Sequence, residues 1–68
     1  MNARLRLQMI RKQKNLSQRR VAREIGVSQG TYWKIENGKM KFTEDHIIAL
    51  CRFYNLSADY LIGLTDET

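Results

Sequence analysis

Few side chains in this sequence could serve as a nucleophile or a base. There is one histidine, His46, and one cysteine, Cys51, five positions apart. His46 falls in the first turn of a helix, where capping or surface roles are ordinary, and Cys51 suits a small core position. No glycine-rich phosphate loop or paired-carboxylate site accompanies them, and no Cys/His cluster has the spacing of metal ligands. Catalysis, a metal centre and a cofactor are therefore not expected. The abundant chemistry is cationic. Twelve Lys/Arg stand against seven Asp/Glu, a net charge of +5. Residues 1–41 hold eleven of those cations (Arg4, Arg6, Arg11, Lys12, Lys14, Arg19, Arg20, Arg23, Lys34, Lys39 and Lys41) against only Glu24 and Glu36. Residues 42–68 hold Arg52 alone against Glu44, Asp45, Asp59, Asp66 and Glu67. A basic half joined to an acidic half suits a polyanion on one face and another partner elsewhere. Charge by itself leaves DNA, RNA and lipid open, beside a merely solubilising surface.

The elements that must position these charges are constrained by length. Sixty-eight residues, 43% hydrophobic and 28% charged, make one small domain spanning 1–68. A chain this size buries about 60% of the surface its unfolded form exposes. One cysteine excludes an intrachain disulfide, so helix packing or dimerisation must supply the stability. The absence of proline and the presence of only four glycines favour helices over strands. The longest apolar run, Ile47–Cys51, is far too short to cross a membrane, and no apolar signal region follows Met1-Asn2-Ala3-Arg4. An intracellular protein is the expectation.

Apolar spacing predicts five helices. Ala3, Leu7 and Ile10 recur at helical intervals, giving a first helix over about 2–14 with Asn15 as a left-handed stop. Ser17 caps a second, whose buried stripe is Val21, Ala22 and Ile25 and whose end is Gly26. Ser28 caps a third, which runs to about Glu36 and stops at Asn37-Gly38. Thr43 caps a fourth over 43–54, with Glu44 and Asp45 favourably placed in its first turn and Ile47, Leu50, Cys51 and Tyr54 as its core stripe. Asn55 ends it, and Ser57 opens a short fifth helix over 57–62, closed by Gly63.

The middle pair is the most informative. Residues 17–36 form two helices joined by about three residues centred on Gly26. So tight a corner needs a residue that tolerates positive φ, and it makes the helices cross steeply. That is helix-turn-helix geometry, which presents its second helix outward to a DNA major groove. Ala22 is small where the helices approach, and Val27, Tyr32 and Ile35 are apolar where the pair buries its inner side.

Several stretches carry a wider likeness: Arg6-Leu7-Gln8-Met9-Ile10-Arg11, Leu16-Ser17-Gln18, Val21-Ala22, Gly26-Val27-Ser28-Gln29 and Lys34-Ile35-Glu36-Asn37-Gly38-Lys39. Leu56-Ser57-Ala58-Asp59-Tyr60-Leu61-Ile62-Gly63 adds a matching last helix. With these the chain resembles the phage repressor and Cro type of helix-turn-helix regulator, the Xre family, over nearly its whole length. The resemblance implies an all-α, five-helix, lambda-repressor-like domain. It also implies a cytoplasmic regulator, bacterial or phage-encoded, that binds a double-stranded DNA operator and acts as a repressor.

On the third helix, Tyr32 and Ile35 point inward at 100° per residue, flanked by Thr31 and Glu36. Gln29, Gly30, Trp33, Lys34 and Asn37 then face outward. Gln29 can pair with the N6 and N7 edge of adenine, and Lys34 with guanine O6 or N7, though a phosphate would equally suit the lysine. Gly30 would let the backbone approach the groove floor. Trp33 is larger than the family's usual residue; packing on sugar or a thymine methyl, and folding back onto the domain, both stay open. Tyr32 is also larger than usual and reads as core.

By the same resemblance, Gln18 clamps one phosphate, joined by Ser28 and Thr31 at the start of the third helix. Arg19 and Arg20 oppose the dipole of the second helix, at a cost of a few tenths of a kcal/mol each, which a bound phosphate would reverse. Asn37, Gly38, Lys39 and Lys41 look like the family's second phosphate clamp. Arg11 and Glu36 match a partly buried ion pair that ties the first helix to the end of the third.

A monomer of this size reads few base pairs, so a homodimer is expected, its recognition helices about 34 Å apart on a pseudo-palindromic operator. Phe53, Tyr60, Leu61 and Leu64 are the candidates for the dimer surface, with Ile62 beside them; Leu56, Leu61 and Ile62 are also expected to cover the base of the domain. The alternative is an antitoxin-like or other protein-interaction module, whose partner would meet the acidic C-terminal half.

Overall fold

Five helices follow one another: α1 (Ala3–Gln13), α2 (Gln18–Ile25), α3 (Gln29–Glu36), α4 (Glu44–Tyr54) and α5 (Ala58–Leu61). This computed structural model describes residues 2–67; Met1 and Thr68, the ends of the expected 1–68 domain, lie outside the described residues. No strand occurs among the described residues. The expected helices are all present. The fifth is shorter than the anticipated 57–62, because Ser57 acts as its cap and Ile62 already lies in the closing turn.

Every helix starts on a side-chain oxygen. Asn2, Ser17, Ser28, Thr43 and Ser57 each accept the backbone N–H three residues on, which satisfies a donor the helix cannot use internally. At α4 the arrangement is reciprocal: His46 Nδ1 accepts the Thr43 N–H at 3.3 Å while its own N–H donates to Thr43 Oγ1 at 3.2 Å. The lone histidine is thus a capping residue, the role open to it from sequence.

The five ends are equally uniform. Asn15, Gly26, Gly38, Asn55 and Gly63 all have positive φ, between 55° and 86°. In each case the next residue's N–H reaches back to the carbonyl five positions earlier: Leu16 to Arg11, Val27 to Ala22, Lys39 to Lys34, Leu56 to Cys51 and Leu64 to Asp59, at 2.8–3.1 Å. This is the Schellman closure, which recovers stranded carbonyls and turns the chain sharply. Helices that end abruptly can be packed with short connections.

Each helix contributes to one core. Leu7 and Ile10, Val21 and Ala22, Tyr32 and Ile35, Leu50 and Tyr54, and Leu61 are its buried apolar residues. Half-buried Leu16, Ile25, Val27, Phe42, Ile47, Cys51, Phe53, Leu56 and Tyr60 pack around them. Burial pushes the Cys51 thiol upward, as expected for a core filler. Two places are open to Leu61 from sequence, a dimer surface and the base of the domain. It is 0% exposed and belongs to the core, which bears out the second and corrects the first, since it has no surface to offer a second copy.

Arg6 was unassigned from sequence, and the structure gives it a position of its own. Its residue is buried to 3% exposure, with the guanidinium stacked 4.1 Å from the centre of the Tyr60 ring. Nη2 donates to the Thr65 carbonyl at 3.2 Å and to Asp66 Oδ1 at 2.9 Å. Cation–π contact and charge-assisted hydrogen bonds together fasten the segment after α5 onto α1. One face of Tyr60 is consequently occupied within the domain.

Candidate nucleic-acid interface

The joint between α2 and α3 is Gly26-Val27-Ser28. Gly26 has φ +78°, and a Cβ there would touch nothing within 4 Å, so the left-handed backbone and not lack of space favours glycine. Val27 turns inward against the core, and Ser28 accepts the Thr31 N–H at 3.0 Å to start the next helix. Ser28 Oγ also donates to Thr31 Oγ1 at 2.9 Å. Both hydroxyls expected at phosphate are therefore held together at the mouth of α3.

The two sides of α3 differ sharply. Tyr32, Ile35 and Glu36 are buried; Gln29, Gly30, Trp33, Lys34 and Asn37 are exposed, and Thr31 is intermediate. The structure thus brings together the outward face expected from helical spacing. Trp33 is 46% exposed, so part of its surface is open on this face and part is covered. A Cβ at Gly30 would meet only Ser28 Oγ at 4.0 Å, so internal packing does not demand a glycine.

Behind that face lies the element that orients it. Arg11 Nε donates to Glu36 Oε2 at 2.8 Å and Arg11 Nη2 to Oε1 at 2.9 Å, a two-pronged pair that fixes direction as well as distance. Arg11 Nη1 donates to the Leu16 carbonyl at 2.9 Å. Gln8 Nε2 donates to the Glu36 carbonyl at 3.0 Å, a second tie from α1 that went unnoticed in sequence. The i, i+3 spacing of Gln8 and Arg11 was the available signal. Gln18 Nε2 approaches Glu36 Oε1 at 3.4 Å, so the residue expected at a phosphate also belongs to this network.

Burial opposes the charge on Glu36, but the hydrogen bonds and charge of Arg11, with a weaker contact from Gln18, outweigh it and hold the carboxyl below its usual range. Tyr32 is pushed strongly upward, first by burial and then by neighbouring Glu36. Burial also raises Tyr54, to about 12. The phenols stay neutral while Glu36 stays ionised, which keeps the Arg11 link intact around neutral pH.

The cations frame α3 from both ends. Arg19 and Arg20 stand exposed in the first turn of α2, where no acidic residue is present. Arg20 Nε bonds Glu24 Oε1 at 3.0 Å across one turn, so part of its charge is answered locally. Beyond α3, Asn37 Nδ2 donates to the Trp33 carbonyl at 2.9 Å, and Gly38, Lys39 and Lys41 lie in the exposed loop before α4. In α4, Phe53 is half-buried with its ring centre 4.9 Å from that of Tyr54. Leu64 is 73% exposed, the most open of the large apolar side chains among the described residues. No helix of the described residues is long and apolar enough to cross a membrane.

Comparison with known proteins bears on this geometry. A crystal structure of a transcriptional regulator from Listeria innocua superposes with a TM-score of 0.86 at 24% identity, covering 98% of this chain and 63% of that one. At that identity the likeness is one of fold. In sequence, the chain is 36% identical over 62 residues to YobD, an uncharacterised HTH-type transcriptional regulator of Bacillus subtilis strain 168. The matched region is 91% of this chain and 55% of the relative, so the chain spans about half that protein's length. The helix-turn-helix family pattern matches residues 7–61, from the first core leucine of α1 to the buried Leu61 of α5. Covering most of the domain, α3 included, that match means that the chain belongs to the helix-turn-helix family, of the Xre type.

Proposed function

We propose that the domain acts as a sequence-specific regulator, a repressor, that docks α3 in the major groove of double-stranded DNA. The observation that carries this reading is the division of α3 into a buried side and an exposed side holding Gln29, Gly30, Trp33 and Lys34. In this reading Gln29 and Lys34 meet base edges, Trp33 packs on sugar or a thymine methyl, and Gly30 permits close approach. Gln18, Arg19, Arg20, Ser28 and Thr31 meet phosphates on one side of the groove. Asn37, Gly38, Lys39 and Lys41 meet them on the other, setting the register. Two copies related by a two-fold axis would read a pseudo-palindrome, with Phe53, Tyr60 and Leu64 as the remaining candidates for their contact.

Selection of bound duplexes from a random pool tests the proposal. The expected product is a pair of inverted half-sites about 10 base pairs apart, centre to centre. Recovery of a single unpaired site would remove the dimer, and recovery of no motif would remove sequence-specific reading. Repeating the selection with Lys34→Ala separates its two roles: lost preference at one position assigns a base, and a uniform loss assigns a phosphate.

A further inference from the structure

Arg4, Gln8 and Arg11 recur at i, i+4 and i+7, which places them on one side of α1. Arg11 grips the Glu36 carboxylate and Gln8 the Glu36 carbonyl. Arg4, one turn earlier, lies over Gly38 in the following loop. A Cβ built on Gly38 would fall 3.1 Å from Arg4 Cζ and nearer still to Nη1. The guanidinium therefore lies in the space beside the bare Gly38 Cα, from which a Cβ would have to push the end of the arginine aside, and at φ +73° the glycine also suits the backbone.

Charge at this spot is unanswered. Arg4 is exposed and joins none of the ion pairs found among the described residues, which are Arg6–Asp66, Arg11–Glu36 and Arg20–Glu24. Lys39 and Lys41, exposed in the same loop, are likewise outside those pairs. The backbone N–H groups of Met40 and Lys41 meet no protein backbone acceptor among the described residues. The carbonyl end of α3 attracts a cation to some degree, but it does not require three of them or the free amides.

We propose that Arg4 of α1 adds its guanidinium to the phosphate contacts already assigned to Gly38, Lys39 and Lys41, making one phosphodiester-binding site around Gly38. The site rests on the DNA-binding reading above and adds to it a contact from outside the helix-turn-helix. The same stripe of α1 that orients α3 internally thereby grips the backbone of the DNA that α3 reads. Arginine suits the position because its planar fork can meet two phosphate oxygens at once.

The test is a fluorescence-anisotropy titration of the full chain against a labelled random-sequence duplex over a series of sodium chloride concentrations. Wild type, Arg4→Gln and Arg4→Lys are compared, and a circular-dichroism melt of each verifies folding. Arg4→Gln is expected to flatten the log–log salt slope by about 0.9, the loss of one phosphate contact, while Arg4→Lys keeps the wild-type slope. A wild-type slope in Arg4→Gln, or equal flattening in both variants, would overturn the site and leave the DNA-binding reading standing. Absence of salt-sensitive binding by the wild type would instead remove that reading, and the site with it. Should Arg4→Gln fold poorly, the charge comparison passes to Arg4→Met against Arg4→Lys, read in the same way.

Discussion

Arg11 and Glu36 join the first helix to the last turn of the third through two hydrogen bonds, of 2.8 and 2.9 Å, to the two oxygens of one carboxylate. The Glu36 side chain is 2% exposed and that of Arg11 14%. Removing the cation leaves a buried carboxylate without its strongest partner. Arg11→Met should therefore cost about 3 kcal/mol, the lower end for breaking a buried pair because Arg11 is not fully enclosed. Urea denaturation monitored by helical ellipticity measures it. A loss below about 1 kcal/mol would class the contact with ordinary surface pairs.

Acid should destabilise the fold through the same carboxylate. The folded Glu36 lies below its unfolded value, so the folded state binds fewer protons there. Its contribution is fully present above the unfolded glutamate range and disappears as pH falls through the lowered folded value. Urea midpoints for wild type should consequently drop across the acid window below about pH 4.3, the reference glutamate value. Glu36→Gln, lower in stability at neutral pH, should show a shallower drop there. Parallel curves for the two proteins would place the acid sensitivity elsewhere.

Gly26 and Gly38 are both left-handed, but substitution meets different obstacles. A methyl at Gly26 touches nothing, so Gly26→Ala should cost only the conformational strain, about 1–2 kcal/mol. Gly26→Asn should recover part of it, since Asn15 and Asn55 already close helices in the same conformation. Gly38→Ala adds a collision with Arg4 and should lose more stability or force that side chain aside. Thermal melts of the three variants rank them. An equal cost for the two alanines would mean Arg4 yields freely.

Leu61 and Leu64 separate core from surface within three residues. Leu61→Ala should cost about 2–5 kcal/mol because the side chain is completely enclosed. Leu64→Arg should leave the melting temperature nearly unchanged. If Leu64 lies in the proposed dimer contact, Leu64→Arg shifts the sedimentation coefficient towards monomer at concentrations where wild type associates. Unchanged association would exclude Leu64 from that contact.

The local rules of the chain were legible in its residues. Ser17, Ser28, Thr43 and Ser57 announce helix starts because their oxygens satisfy free N–H groups. Gly26, Asn55 and Gly63 announce stops because few other residues accept positive φ. The split of α3 into an outward Gln29, Trp33 and Lys34 and an inward Tyr32 and Ile35 follows from helical period alone, and the Arg11–Glu36 tie came from the family likeness. What depended on tertiary structure involves residues far apart in sequence: Arg6 stacked on Tyr60 and bonded to Asp66, Arg4 seated over Gly38, Gln8 on the Glu36 carbonyl, and the choice of core over dimer surface for Leu61, both of which the sequence left open. Periodicity tells which side of a helix is buried, but not which distant charge will arrive opposite it. That is settled only when packing of the helices brings their side chains into contact, where distance and desolvation set the strength of each pair.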